Sequence, residues 1–135
     1  MKTPKQIIDQ MMGSDEFSRL LGVRVIQLSV GECELKLHIE KMHLNGFGIT
    51  HGGVSFSLAD TCLAFAANSF GQKAVSIETS IAHIKKVFLG DVITAKSELI
   101  NKGKKVGVYL IHIFNQQQER VALFKGHVHF SSEIW

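Results

Sequence analysis

The sequence predicts an α+β domain in which an antiparallel sheet wraps one long central helix. Three observations predict it. The segment Thr50 to Ser69 is apolar on nearly every side, as a helix is when it is covered over most of its circumference. Runs with a period of two lie on both sides of that segment. The polar turns "NKGKK" and "NQQQER" separate the last three runs, which makes them an antiparallel meander.

In chain order, residues 4–21 are expected to be helical. Ile7, Ile8, Met11 and Met12 fall at helical spacing, Pro4 stands near the start, and Ser14 is a candidate cap for a second short turn through Phe17, Leu20 and Leu21. A strand from Val23 to Leu28 turns at Gly31 into "ECELKLHIE". There Cys33, Leu35, Leu37 and Ile39 alternate with polar residues, the mark of a half-buried strand. Residues 41–50, with Asn45, Gly46 and Gly48, form a loop, and the central helix follows and ends at Gly71. Four strands are expected after it, at Ala74–His83, Val92–Ile100, Val106–Phe114 and Arg120–Ser131. Phe47, Phe56, Phe65, Phe70 and Phe88 are expected to be mostly core.

The 135 residues suit one domain over 1–135, and 45% hydrophobic content is enough for a core. A net charge of +3 without a basic stripe argues against a nucleic-acid partner. Its cationic clusters are Lys85-Lys86 and Lys102, Lys104, Lys105. No run of about 18 apolar residues occurs, so no membrane span is expected. Cys33 and Cys62 form no CxxC pair, and the histidines show no HxxxH or HExxH on a helix, so neither a metal nor another cofactor is expected. "MKTPKQIIDQMMG" lacks the apolar core of a signal peptide, and the expected setting is a reducing cytoplasm.

Asp60 is the single charged residue between Lys41 and Lys73. A lone carboxylate in an apolar helix is costly to bury without partners, so it is either a structural group bonded to Thr61 or backbone, or a reactive one. Nine residues before it, "HGG" opens the helix.

The pattern Asn45, Gly48, His51-Gly52-Gly53, Leu58-Ala59-Asp60-Thr61 and "AFAANSFG", followed by "GDVITAKSELINKGKKVGVYLIHIFNQQQERVALFKGHVHF", resembles the hotdog-fold acyl-CoA thioesterases, in particular the type found in bacterial phenylacetate degradation. The resemblance covers roughly residues 40–130. One departure is the loop "HIKKVFLGD", which lacks a proline that related proteins often carry. The resemblance implies hydrolysis of an acyl-CoA, with phenylacetyl-CoA or hydroxyphenylacetyl-CoA as the expected kind of substrate. It implies a homodimer with composite active sites, usually doubled to a homotetramer.

The chemistry needs a base or nucleophile on one side of the thioester carbonyl and donors for the developing oxyanion. Gly52 and Gly53 stand at a helix N-terminus, where free N–H groups point outward, and Gly52 N–H is the candidate oxyanion donor. Asp60 is the candidate nucleophile or general base. Asn45 is a candidate to orient the carbonyl or the attacking water, or else simply turns its loop. His51, Gly53, Thr61 and Ser76 are candidate substrate contacts, Phe47 and Phe56 candidates to line an acyl or aryl pocket, and Lys85, Lys86, Lys102 and Lys104 candidates for CoA phosphates.

Gly52 and Asp60 are eight positions apart, about 12 Å along one helix axis at ~1.5 Å per residue. Both must approach one reacting centre within about 3 Å, which a single helix cannot arrange. Two antiparallel copies place Gly52 of one against Asp60 of the other, twice. Two alternatives stand beside hydrolysis: a non-catalytic acyl-CoA-binding module, and a hotdog dehydratase, whose usual motif is absent.

Overall fold

The computed structural model describes residues 1–135. The elements run α1 (Pro4–Ser14), α2 (Glu16–Leu21), β1 (Arg24–Ser29), β2 (Glu32–His38), a 3-10 turn (Lys41–His43), α3 (Gly52–Asn68), β3 (Gln72–His83), β4 (Val92–Lys102), β5 (Val106–Phe114) and β6 (Arg120–Ile134). One six-stranded sheet has the order β1-β2-β4-β5-β6-β3, every neighbouring pair antiparallel. The meander β4-β5-β6 and the sheet curled around a helix match the predicted α+β class.

The central helix touches β2, β3, β4, β5 and β6. Leu58, Cys62, Leu63, Phe65 and Ala66 of α3 pack on Leu35, Leu37, Ile93, Ile111, Ile113 and Phe124, the inward side chains of alternating strands. Gly126 of β6 lies directly against Leu63 of the helix. A Cβ built there would stand 2.5 Å from Cδ2 of Leu63, so only glycine fits without moving a buried leucine.

The first helical stretch breaks in two, and its caps differ in one respect from expectation. Thr3 caps α1 through a capping box with Gln6. The second cap is Asp15, not Ser14: its Oδ1 accepts the Ser18 N–H at 2.9 Å, while Ser14 is the last residue of α1. At the other end of α3 the cap is Ser69, and Gly71 (φ +103°) turns the chain into β3 two residues later. Asn68 holds that corner. Its amide donates to the carbonyls of Ala64 and Ala74 at 2.8 and 2.9 Å, and its oxygen accepts from Ala74 N and Trp135 Nε1 at 2.9 and 2.8 Å. No helix is long and apolar enough to cross a membrane. Phe65 is core, but Phe47 and Phe88 are 90% and 53% exposed and are not.

Candidate active site

The loop before α3 is fixed at several points. His43 is buried; its Nδ1 accepts the Glu40 N–H at 2.9 Å and its Nε2 bonds the Leu21 carbonyl at 2.9 Å. Its own carbonyl accepts the His51 N–H at 2.8 Å, and Thr50 N donates to Val87 O at 2.9 Å. Asn45 turns the loop in the way its residue type suggests: its Oδ1 accepts from Phe47 N and Ile49 N at 2.9 and 3.3 Å. That leaves the Asn45 NH2 group for the cleft it lines.

His51 is the N-cap of α3. Its Nδ1 accepts the Gly53 N–H at 2.8 Å, and its carbonyl accepts from Val54 N at 2.9 Å. Of the two glycine amides at this helix start, Gly53 is thus already occupied, and Gly52 N–H has no partner in the chain. Gly52 faces a cleft of about 300 Å³ lined also by Asn45, Thr50, Ser55, His83, Lys85 and Lys86.

Asp60 lies on the one face of α3 that the chain leaves uncovered. Gly53, Ser57, Asp60 and Ala64 follow one another at three- and four-residue spacing, and each is exposed or half-buried, while most of the other residues of the helix are buried. Burial alone pushes the Asp60 carboxyl above its ordinary value, with no hydrogen bond or counter-charge offsetting it. The structural alternative, a bond to Thr61, is not present. The Thr61 hydroxyl meets Ser18 Oγ at 3.0 Å, and Ser18 in turn donates to Asp15 Oδ2 at 2.7 Å. Thr61 is buried, and its hydroxyl is taken up by this contact with α2.

The other candidates divide. Ser76 is exposed on β3, seven positions before His83 and roughly 23 Å away along the strand, so one chain does not bring it to Gly52. Phe56 is half-buried and sits edge-on to Phe124 at 5.3 Å, part of the core margin, and Phe47 projects from its loop. Lys85 pairs with Glu119, whose carboxyl is held low by the Lys85 hydrogen bond first and by Asn115 second. Lys102 lies over the rings of Phe70 and Phe130 at 4.9 and 4.5 Å. Phe70 follows the C-terminal end of α3, about 25 Å of helix away from Gly52, so Lys102 and its turn neighbour Lys104 do not join Lys85 and Lys86 at the cleft.

Three polar residues of the cleft carry no signal in the sequence: Thr50, Ser55 and His83. His83 reaches Gly52 from the end of β3, 31 positions later, and no local pattern marks such a contact.

Comparison with known proteins fits this geometry. Residues 47–122 match the thioesterase superfamily. The chain is 40% identical over 119 residues to the acyl-coenzyme A thioesterase PaaI of Escherichia coli (strain K12), covering 88% of this chain and 85% of that one. The structure of the E. coli PaaI protein, from the phenylacetic acid degradation operon, superposes with a TM-score of 0.94 at 37% identity, covering 97% and 95% of the two chains. That of a hypothetical thioesterase protein with coenzyme A from Streptococcus pneumoniae TIGR4 gives 0.80 at 25% identity, covering 84% and 88%. The chain belongs to the thioesterase superfamily, and its fold is the hotdog fold. It is a thioester hydrolase.

Proposed function

We propose that the chain hydrolyses an acyl-CoA to the free acid and CoA, with the acid half an arylacetyl group of the phenylacetyl or hydroxyphenylacetyl kind. The observation that carries this is the pairing of two unsatisfied groups: the half-buried Asp60 carboxylate on an open stripe of α3, and the unbonded Gly52 N–H at its start. The relative in the phenylacetic acid degradation operon supports the acyl class, and the coenzyme A complex of another relative supports the carrier.

In this scheme Gly52 N–H stabilises the oxyanion while Asp60 of the neighbouring subunit either attacks the carbonyl carbon or draws a proton from the attacking water. In the water route the C–O bond forms from water as its proton passes to Asp60, the C–S bond breaks, and CoA leaves as the thiolate, which takes up that proton; in the direct route the Asp60–acyl anhydride formed as the thiolate leaves is then opened by water, which releases the acid and restores the carboxylate. Asn45 orients the carbonyl or the water through its free NH2. Lys86 and Lys85 flank the cleft as contacts for CoA phosphates. Ser76, on the half of β3 remote from Gly52, belongs with the Asp60 half of the site.

The composite arrangement needs a homodimer, doubled to a homotetramer. Two features support it. The uncovered stripe of α3 lacks an apolar neighbour, and β3 is an edge strand of twelve residues whose Val75 and Ile77 are 65% and 58% exposed. A long apolar edge is an invitation to pair with another strand. The two buried free thiols support a reducing, cytoplasmic setting.

The test is free-thiol release from a panel of arylacetyl-, straight-chain and short-chain CoA thioesters, with Asp60→Ala as control. Turnover that favours arylacetyl groups and is lost in Asp60→Ala supports the proposal. Binding without turnover would point to a sensing module, and turnover that survives Asp60→Ala would remove Asp60 from the chemistry.

A further inference from the structure

The cleft at Gly52 contains more polar machinery than one amide. Thr50 is 8% exposed, lines the cleft, and its hydroxyl is buried without a hydrogen-bond partner. Such an unpaired buried hydroxyl is uncommon in a folded chain. His83 enters the same cleft from the end of β3, and its imidazole is turned directly onto Gly52. A Cβ built on Gly52 would stand 3.0 Å from Nε2 of His83 and 3.3 Å from its Cε1.

That contact bounds a distance that matters for the reaction. Cβ and N of one residue are about 2.5 Å apart, so His83 Nε2 lies no more than about 5.5 Å from the Gly52 nitrogen. Two donors that each hold one oxygen at about 2.9 Å can be up to about 5.8 Å apart. The separation is within what one oxygen shared by both would need. We infer that His83 is the second hydrogen-bond donor to the thioester carbonyl oxygen, acting from the same chain as Gly52 and opposite the acid supplied by the neighbouring subunit.

This rests on the proposed role of Gly52. The electron bookkeeping is simple. As the new C–O bond forms, the carbonyl π pair moves onto oxygen, and Gly52 N–H and His83 Nε2–H hold the resulting charge. As the intermediate collapses that pair returns and the C–S bond breaks. His83 keeps its proton throughout, so it is a donor and not the base.

Three substitutions test the assignment, each assayed by thiol release on the best substrate of the wild-type panel. His83→Phe keeps a ring without a donor, His83→Ala removes both, and His83→Gln keeps a neutral donor. Expected are a fall in kcat of about 100-fold for His83→Phe and His83→Ala with KM changed less than about threefold, and recovery to within about tenfold of wild type in His83→Gln. His83 is exposed at a strand end, so all three should match the wild-type thermal midpoint. A wild-type kcat in His83→Phe, or a His83→Gln no faster than His83→Phe, would overturn the donor role. Loss of the Gly52 and Asp60 scheme shows differently, as a wild-type protein that releases no thiol or an Asp60→Ala variant that still does.

Discussion

Nδ1 of His51 accepts the N–H of Gly53 at 2.8 Å, and this one bond decides which glycine amide of the "HGG" turn is left over. It occupies the Gly53 amide and leaves the Gly52 N–H without a partner at the edge of the cleft that Gly52 lines. It also fixes the imidazole as a helix cap.

His51→Ala should accordingly loosen the start of α3. The expected cost is about 1 kcal/mol of stability, typical of a lost N-cap, together with a kcat loss larger than any rise in KM. His51→Asn, which restores a capping oxygen, should recover most of both. Thermal unfolding and steady-state thiol release measure the two effects.

Asp60 should show opposite signs in activity and stability. Asp60→Asn should lower turnover by roughly 100- to 10,000-fold, the range a general base supplies. Burial raises the folded-state pKa of this carboxyl above its ordinary 3.8, so the folded state binds the proton more tightly than the unfolded chain. Its contribution to stability is therefore full below the unfolded pKa and is lost as pH rises through the raised one. At neutral pH the ionised group works against the fold, and Asp60→Asn should raise the thermal midpoint. That gain should shrink as pH is lowered. In the wild type, the acid limb of kcat/KM should fall with a midpoint above 3.8.

Asn68 is the most connected polar side chain in the fold, joining the end of α3, the start of β3 and Trp135. Asn68→Ala strands buried donors and acceptors on all three and should destabilise the protein by about 3 kcal/mol. The effect should appear in denaturant unfolding, with kcat of the remaining folded enzyme close to wild type, because Asn68 lies at the end of α3 opposite Gly52.

Much of this architecture was legible in the residues. The period-two runs located every strand, and the unbroken apolar character of residues 50–69 located the helix, because core burial writes itself into local pattern. The caps were less legible: Ser14 and Asp15 are both good capping types, and only the packing of Ser18 against Thr61 decides between them. The candidate site was legible where its proposed groups share one element, as Gly52 and Asp60 do. The direction of Thr61 was not legible, because its rotation about the helix, which points it at α2, is set by packing against Ser18 and not by its neighbour Asp60. Phe47 misled because hydrophobicity does not tell a core phenylalanine from one on a loop tip. His83 was invisible for the reverse reason, since its proximity to Gly52 arises from the way β3 runs back along α3, which is a tertiary fact.

The claim on which the scheme turns is that each site takes Gly52 from one chain and Asp60 from another. Asp60→Ala and Gly52→Pro chains should each be inactive alone; proline is compatible with the first position of a helix and removes the N–H in question. Mixed and reassembled in equal amounts, half the dimers should be hybrid, each with one intact site and one doubly defective site, returning about a quarter of wild-type turnover. Hybrid dimers that form, as shown by tagged co-purification, and yet release no thiol would contradict a composite site.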